Sequence, residues 1–230
     1  MINKNIQKIL AVIPARGKSK GIPNKNIIEL AGKPLIVYSI ENALKSRLID
    51  RIVVSTEDED IYQIAKKYDI EVIKRPDELA ENHSHIGDTL NHILEYLENK
   101  EGYIPKFIIL LQPTSPLRTV KTIDSAIEKF CDKFEYYDSL IPLYALDGKI
   151  GVIKGEMFIP NYILGSRRQD MEPLYRECGT IFIFKPSFIK RKTMFGEKIY
   201  PFIIRNYEES IDIDTLDDLK QAEYFLRLRN

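Results

Sequence analysis

The sequence predicts an α/β fold built on a doubly wound, mainly parallel sheet, and three observations carry that expectation. Continuous apolar runs at residues 8–15, 51–56 and 107–112 read as strands buried on both faces, as parallel strands are. Segments with helical apolar spacing lie between them, so strand and helix alternate and right-handed crossovers follow. A length of 230 residues suits one such domain, taken as residues 1–230, with a small irregular β-rich lobe attached.

KILAVIPA opens the fold as the first central strand, closed by Pro and Gly signals. Pro34 suits the first position of a helix, and Leu35, Tyr38, Ile40 and Leu44 recur at roughly helical spacing, which predicts a helix over about 34–46. RIVVST is the next strand, and DEDIYQIAKKYDI behind it reads as an amphipathic helix with acidic residues in its first turn. A helix near 87–99, the strand FIILLQ at 107–112 and a helix near 120–132 continue the alternation. After about residue 138 the regularity fails, and β-type residues separated by turn signals predict hairpin-like structure or a lobe over about 138–178. GTIFIFKP at 179–186 restores a buried strand, and Leu216 to Leu228 ends the chain as an amphipathic helix. Thr215 and Asp218 have the spacing of a capping box.

Composition narrows the function. The 34 Lys plus Arg balance 34 Asp plus Glu, so no global field favours nucleic acid or an anionic membrane. The apolar run near the start is too short for a signal-peptide core or a membrane span, and a cytoplasmic protein is expected. Cys131 and Cys178 stand far apart with no CxxC and no neighbouring His, which argues against a disulfide framework and a zinc site.

Local chemistry is more telling. ARGKSKGIPNKN, between the first strand and the first helix, places Arg16, Lys18, Lys20 and Lys25 within ten residues and no acid among them. Gly17 and Gly21 allow close backbone approach, and the cations supply charge-assisted bonds to phosphate oxygens, so a triphosphate fits this loop. The loop is neither a Walker A sequence nor GxGxxG, and a merely solvated basic loop is the bland alternative. SIDIDT at 210–215 places Asp212 and Asp214 two apart in a β-like run, which predicts both carboxylates on one strand face. Two hard oxygen ligands suit Mg²⁺, which keeps water and substrate phosphate as its other ligands; a solvated, helix-capping acidic turn is the other reading.

IPARGKSKGIPNKN, RPDELA, LLQPTSPLRT, RRQDMEPLYRECG and SIDIDT together resemble the acylneuraminate cytidylyltransferases, the synthetases of CMP-sialic, CMP-legionaminic and CMP-pseudaminic acids. The resemblance runs from about residue 8 to residue 225 and implies a Rossmann-like nucleotidyltransferase sheet. It implies that the basic loop holds CTP, with Arg16 and Lys25 on the phosphates, Ser19 near the nucleotide and Asn26 on the cytosine edge; Lys20 is read with them as a further cation on the triphosphate, and Gly17 as part of the nucleotide site. It places Arg75 beside the nucleotide, Gln112 near the sugar with Arg118 in support, and Arg168 and Arg176 on the acidic sugar and its phosphate side. It assigns Asp212 and Asp214 to Mg²⁺ or Mn²⁺. The partners it implies are CTP, an acidic nine-carbon sugar and a second copy in a homodimer, with no nucleic acid or membrane, and the reaction is attack of the anomeric hydroxyl on the α-phosphorus with release of pyrophosphate.

Three departures stand against the family pattern. Residues 83–86 read His-Ser-His-Ile where a hydroxyl is usual, Cys178 replaces an Asn, and the His-Pro motif with part of the lobe is missing around 140–165, where Lys149 offers a substitute lysine. His83, His85 and His92 read as solvated or structural. A glycosyltransferase with a DxD-like metal site and a noncatalytic sugar-nucleotide binding protein remain alternatives, and pyrophosphate release separates the first of them.

Overall fold

In the computed structural model, which describes residues 8–19, 21–81, 83–190 and 193–229, the apolar run near the N-terminus forms β1 (Ile9–Pro14). A small ribbon of β2 (Glu29–Leu30) and β3 (Lys33–Pro34) leads into α1 (Leu35–Lys45). There follow β4 (Arg51–Thr56), α2 (Glu59–Lys66), β5 (Glu71–Lys74), α3 (Ile86–Glu101), β6 (Phe107–Leu110) and α4 (Val120–Lys133). The second half holds β7 (Ser139–Leu146), β8 (Gly151–Lys154), β9 (Met157–Pro160), β10 (Leu174–Glu177), β11 (Phe182–Phe184), α5 (Pro186–Lys190), β12 (Ile199–Ile204) and α6 (Leu216–Leu228).

Eight strands form the main sheet. β1 lies at its centre, parallel to β4 on one side and β6 on the other, with Val12 opposite both Val53 and Leu110. β5 extends the parallel part to one edge. Beyond β6 the direction reverses: β11 pairs antiparallel with both β6 and β7, and β12 closes the far edge parallel to β7. β10 continues β11's side of β7 after a break at 178–181, so β7 is flanked along its length by an interrupted partner.

Alternation along the strands creates two cores. Ile9, Ala11 and Ile13 of β1 face α1, α2 and α4 through Ile40, Ile61, Ile127 and Phe130, whereas Leu10 and Val12 face α3 and α5 through Leu90, Ile93 and Ile189. Each β1 side chain from Ile9 to Ile13 is buried, which is why the run reads as continuously apolar. A third, smaller cluster joins Ile22, Leu30, Leu35, Leu117, Ile211, Ile213 and Ala222 beneath α6 and holds two loops against each other at one end of the sheet.

Three sequence expectations change in detail. The 138–178 region divides: β7 belongs to the main sheet and β10 returns to it, while β8 and β9 make a separate two-stranded sheet. β5 and β12 were not anticipated, being a short strand and an edge strand that carries Pro201 within it. The segment around Asp212 is extended but is not a strand, since its described backbone bonds are Ile211 N–H to Glu208 and Ile213 N–H to Thr114 O at 2.8 Å. Its alternating burial comes from Ile211 and Ile213 docking in the small third core rather than from a ladder.

Candidate active site

A cavity of about 550 Å³ opens where the loops after β1, β5 and β6 converge at the carboxyl ends of the parallel strands. Arg16, Ser19, Lys25 and Asn26 of the basic loop line it, together with Arg75, Gln112, Asp212 and Asp214. The loop takes its shape from Ile22, buried in the third core, and from Asn24, whose φ of 52° turns the chain into a short 3-10 segment at Lys25–Ile27. Gly21 is required by packing: a Cβ there would stand 2.7 Å from the Asp214 carbonyl oxygen. Asn26 is buried and donates to the Arg16 carbonyl at 2.9 Å, so part of its amide holds the loop itself. Lys20 lies outside the described residues.

Gly17 differs from the sequence expectation. Its N–H donates to Glu57 Oε1 at 2.7 Å and is therefore not aimed at a ligand, and its missing side chain makes room for Asp58, whose Oδ2 would lie 2.2 Å from an added Cβ. Arg75 donates through Nε to the other Glu57 oxygen at 2.9 Å, and its Nη2 is buried with no partner among the described residues. Burial pulls the Arg75 pKa down, Glu57 pulls it up, and Arg16 lowers it again. His92, on α3, is within electrostatic reach of Arg75; burial holds it below the ordinary histidine range, and its Nδ1 also has no partner among the described residues. His85 and Ile86, two of the departures from the family pattern, line the cavity.

The carboxylate pair is held from below. Asp212 Oδ1 is buried without a partner among the described residues, and a Cβ on Gly179 would meet Asp212 Oδ2 at 2.9 Å, so only glycine lets the carboxylate occupy that place. Arg118 is fully enclosed; it donates through Nε to the Ser115 carbonyl at 2.9 Å and through Nη2 to the Gln112 carbonyl. Burial lowers its pKa, while the charges of Asp212 and Glu209 raise it. Arg118 thus fixes the loop carrying Gln112 and places a cation near Asp212. No cluster of three or more His, Cys, Asp or Glu able to hold a metal occurs among the described residues. A carboxylate pair with an orphaned buried oxygen nonetheless suits a hard cation that takes its remaining ligands from water and phosphate.

A second cavity of about 550 Å³ is lined by Arg176, Cys178, Gly179, Phe182 and Tyr207 among others. Gln112, Asp212 and Asp214 line both cavities. Arg176 donates through Nη2 to Ser210 Oγ at 3.0 Å and to its carbonyl at 3.2 Å, with the guanidinium 5.5 Å from the Tyr144 ring centroid. Cys178 contacts Thr180 Oγ1 through Sγ at 3.4 Å, and burial pushes its thiol up.

Arg168 lines neither cavity. It sits on an exposed turn beyond the β8–β9 hairpin and pairs with Asp147. Lys149 packs over the Tyr162 ring, also away from both cavities. Glu57, Tyr207 and Ser210 were missed: Glu57 heads an acidic run that reads as solvated helix start, and Ser210 carries no signal beyond its place before the first aspartate.

A nucleotide-sized cavity bounded by a basic loop and a carboxylate pair at the carboxyl end of a parallel sheet defines a nucleotidyltransferase architecture. The solved structure of CMP:2-keto-3-deoxy-manno-octonic acid synthetase complexed with CTP shares the fold at a TM-score of 0.72 and 17% identity, covering 97% of this chain and all of the other. 4-Diphosphocytidyl-2C-methyl-D-erythritol synthase from Anaerococcus prevotii does so at 0.65 and 16% identity. The profile described as Cytidylyltransferase matches residues 10–229, and the chain belongs to this family of nucleotidyltransferase enzymes. It is 35% identical to the CMP-N,N'-diacetyllegionaminic acid synthase of Legionella pneumophila, over 96% of this chain and 97% of that one. Identity is 32% to the pseudaminic acid cytidylyltransferase of Campylobacter jejuni, over 97% and 98%. The N-acylneuraminate cytidylyltransferase of Streptococcus agalactiae is 34% identical over 92% of this chain, which spans about half (51%) of that longer protein.

Proposed function

We propose that the protein transfers CMP from CTP to the anomeric hydroxyl of an acidic nonulosonic sugar and releases pyrophosphate. One observation carries this reading: two separate cavities meet at Gln112, Asp212 and Asp214, as a reaction joining two substrates requires. The first cavity has the cations for a triphosphate in Arg16, Lys25 and Arg75. The second has a single arginine, Arg176, whose planar fork suits a sugar carboxylate. The names of the legionaminic, pseudaminic and N-acylneuraminate relatives support the same substrate class.

In this reading the basic loop and Arg75 hold the triphosphate so that the α-phosphorus faces the second cavity, and Arg176 turns the sugar so that its anomeric hydroxyl points back across the shared wall. Positive groups on the triphosphate stabilise the charge that gathers on the leaving pyrophosphate. Asp212 and Asp214 would hold Mg²⁺, which when bound would supply charge stabilisation at the phosphates.

The working unit in this proposal is a homodimer. The β8–β9 arm exposes Val152, Ile153, Met157 and Phe158, and Ile163 and Leu164 just after β9 are exposed as well, an apolar display larger than single surface residues explain. The proposed setting is the cytoplasm, where CTP is available. No helix among the described residues is long and apolar enough to cross a membrane.

A screen of nucleoside triphosphates against nonulosonic acids, reading pyrophosphate, tests the activity. Release with CTP only when a nonulosonic acid is present is the expected result. Release that ignores the sugar acid, or none with any of them, would reject the assignment. Light scattering on Ile153→Asp/Phe158→Asp tests the dimer, which should become monomeric.

A further inference from the structure

We propose that Glu57 is the positioning residue that sets Arg75 and the basic loop into one nucleotide-binding geometry. The proposal rests on the reading that the first cavity takes CTP. Glu57 follows directly on the end of β4, and its two oxygens serve two different elements: Oε1 accepts from Gly17 N–H at 2.7 Å and Oε2 from Arg75 Nε at 2.9 Å. The backbone is stitched at the same place, Ala15 N–H to Ser55 O at 2.9 Å and Arg75 N–H to Thr56 O at 3.1 Å. Main-chain bonds therefore fix where the two loops leave the sheet, and the Glu57 carboxylate fixes how the basic loop and the Arg75 side chain face one another.

The neighbouring acid cannot take this role. Asp58 Oδ1 accepts from Ile61 N–H at 3.0 Å as the cap of α2, and its other oxygen fills the space left by the missing Gly17 side chain. Anchoring Arg75 through Nε leaves Nη2 buried in the cavity wall with no partner among the described residues, a costly state for a guanidinium and one that an acceptor on the ligand relieves. Charge points the same way. Arg16 and Arg75 repel one another across the cavity, and the Glu57 carboxylate is the hydrogen-bonded counter-charge to Arg75.

Calorimetry with CTP and Mg²⁺, combined with pyrophosphate kinetics, tests the assignment. Glu57→Gln keeps an oxygen for Gly17 but loses the charge facing Arg75, and should weaken CTP binding about tenfold or more, the effect of one charge-assisted bond. The KM for CTP should rise while the KM for the sugar acid holds, a split that general loosening of the fold would not produce. Arg75→Gln should lose a similar factor, and the double variant should be no weaker than Arg75→Gln alone, because the two residues act as a unit. If Glu57→Gln fails to fold, Arg75→Lys, which keeps the charge without the Nε anchor, must give the same selective loss of CTP affinity. Wild-type CTP binding unchanged in Glu57→Gln, or losses that multiply in the double variant, would overturn the proposal alone. Failure of the wild type to bind CTP would remove the reading beneath it as well.

Discussion

Lys25 Nζ stands 2.9 Å from Asp214 Oδ1 and 2.8 Å from the Ile213 carbonyl oxygen, so one ammonium ties the basic loop to the acidic segment. The lysine side chain is 14% exposed and the aspartate 76%, which leaves the pair largely screened and small as a contribution to stability. Its place matters more: a cation already rests on one of the two carboxylates proposed to hold Mg²⁺. Lys25→Met is expected to weaken CTP binding at least tenfold by calorimetry while strengthening Mn²⁺ binding in the absence of nucleotide, read by electron paramagnetic resonance. Unchanged Mn²⁺ affinity would show that the ammonium and the metal do not compete.

Asp212→Asn and Asp214→Asn should each lose most Mg²⁺-dependent turnover, on the order of a hundredfold, because a neutral amide is a poor Mg²⁺ ligand. Circular dichroism should show the fold retained. Folded variants with wild-type activity would remove the metal from these two residues.

Arg176→Lys should impair use of the sugar acid and spare CTP binding, because Arg176 lines only the second cavity. Lysine keeps the charge and loses the fork, so a fall of roughly tenfold to hundredfold in turnover efficiency is expected. Loss of CTP affinity instead would move Arg176 to the phosphate side.

Thr215 and Asp218 form a complete capping box at the start of α6, with Asp218 accepting from Thr215 N–H at 2.8 Å and Asp214 N–H at 3.1 Å. Burial raises the Asp218 pKa, but the bonds from Thr215 and Asp214 outweigh it, so the group sits below its ordinary value. A carboxylate depressed in the folded state stabilises above its unfolded pKa, about 4, and that stability is lost as pH falls through the folded value. Asp218→Asn should therefore cost a few tenths of a kcal/mol, up to about 1, at pH 7 in denaturant melts, the group being partly exposed and screened by solvent, and progressively less below pH 4.

How far the sequence reveals the molecule depends on which force fixed each part. β1 and β4 were legible because their burial gives continuous apolar runs, α1 and α6 because their apolar residues recur at helical spacing, and the capping box because it is local chemistry. β12 was not, since an edge strand needs no continuous apolar run and tolerates Pro201. In the candidate site, Arg16, Ser19, Lys25, Asn26, Arg75, Gln112, Arg176 and the two aspartates line the cavities. Arg168 does not, because its position is set by the β8–β9 arm and the Asp147 pair, which spacing along the chain does not encode. Gly17 illustrates the converse: a glycine in a basic loop reads as ligand approach, but the close neighbour is Asp58, forty-odd residues away in sequence.

The shared wall has a consequence for inheritance. Apart from the two aspartates, the first cavity draws only on residues 14–114, and apart from Gln112 the second draws only on residues 176–221. If the first cavity takes the nucleotide and the second the sugar acid, as proposed, the two specificities occupy consecutive stretches of the gene rather than interleaved ones. A single crossover between two related genes, falling in the codons between these stretches, would splice one parent's nucleotide preference to the other parent's choice of acceptor, provided the seam at Gln112, Asp212 and Asp214 still fits. Descendants could then trade acceptors by exchange of segments instead of by accumulation of point changes.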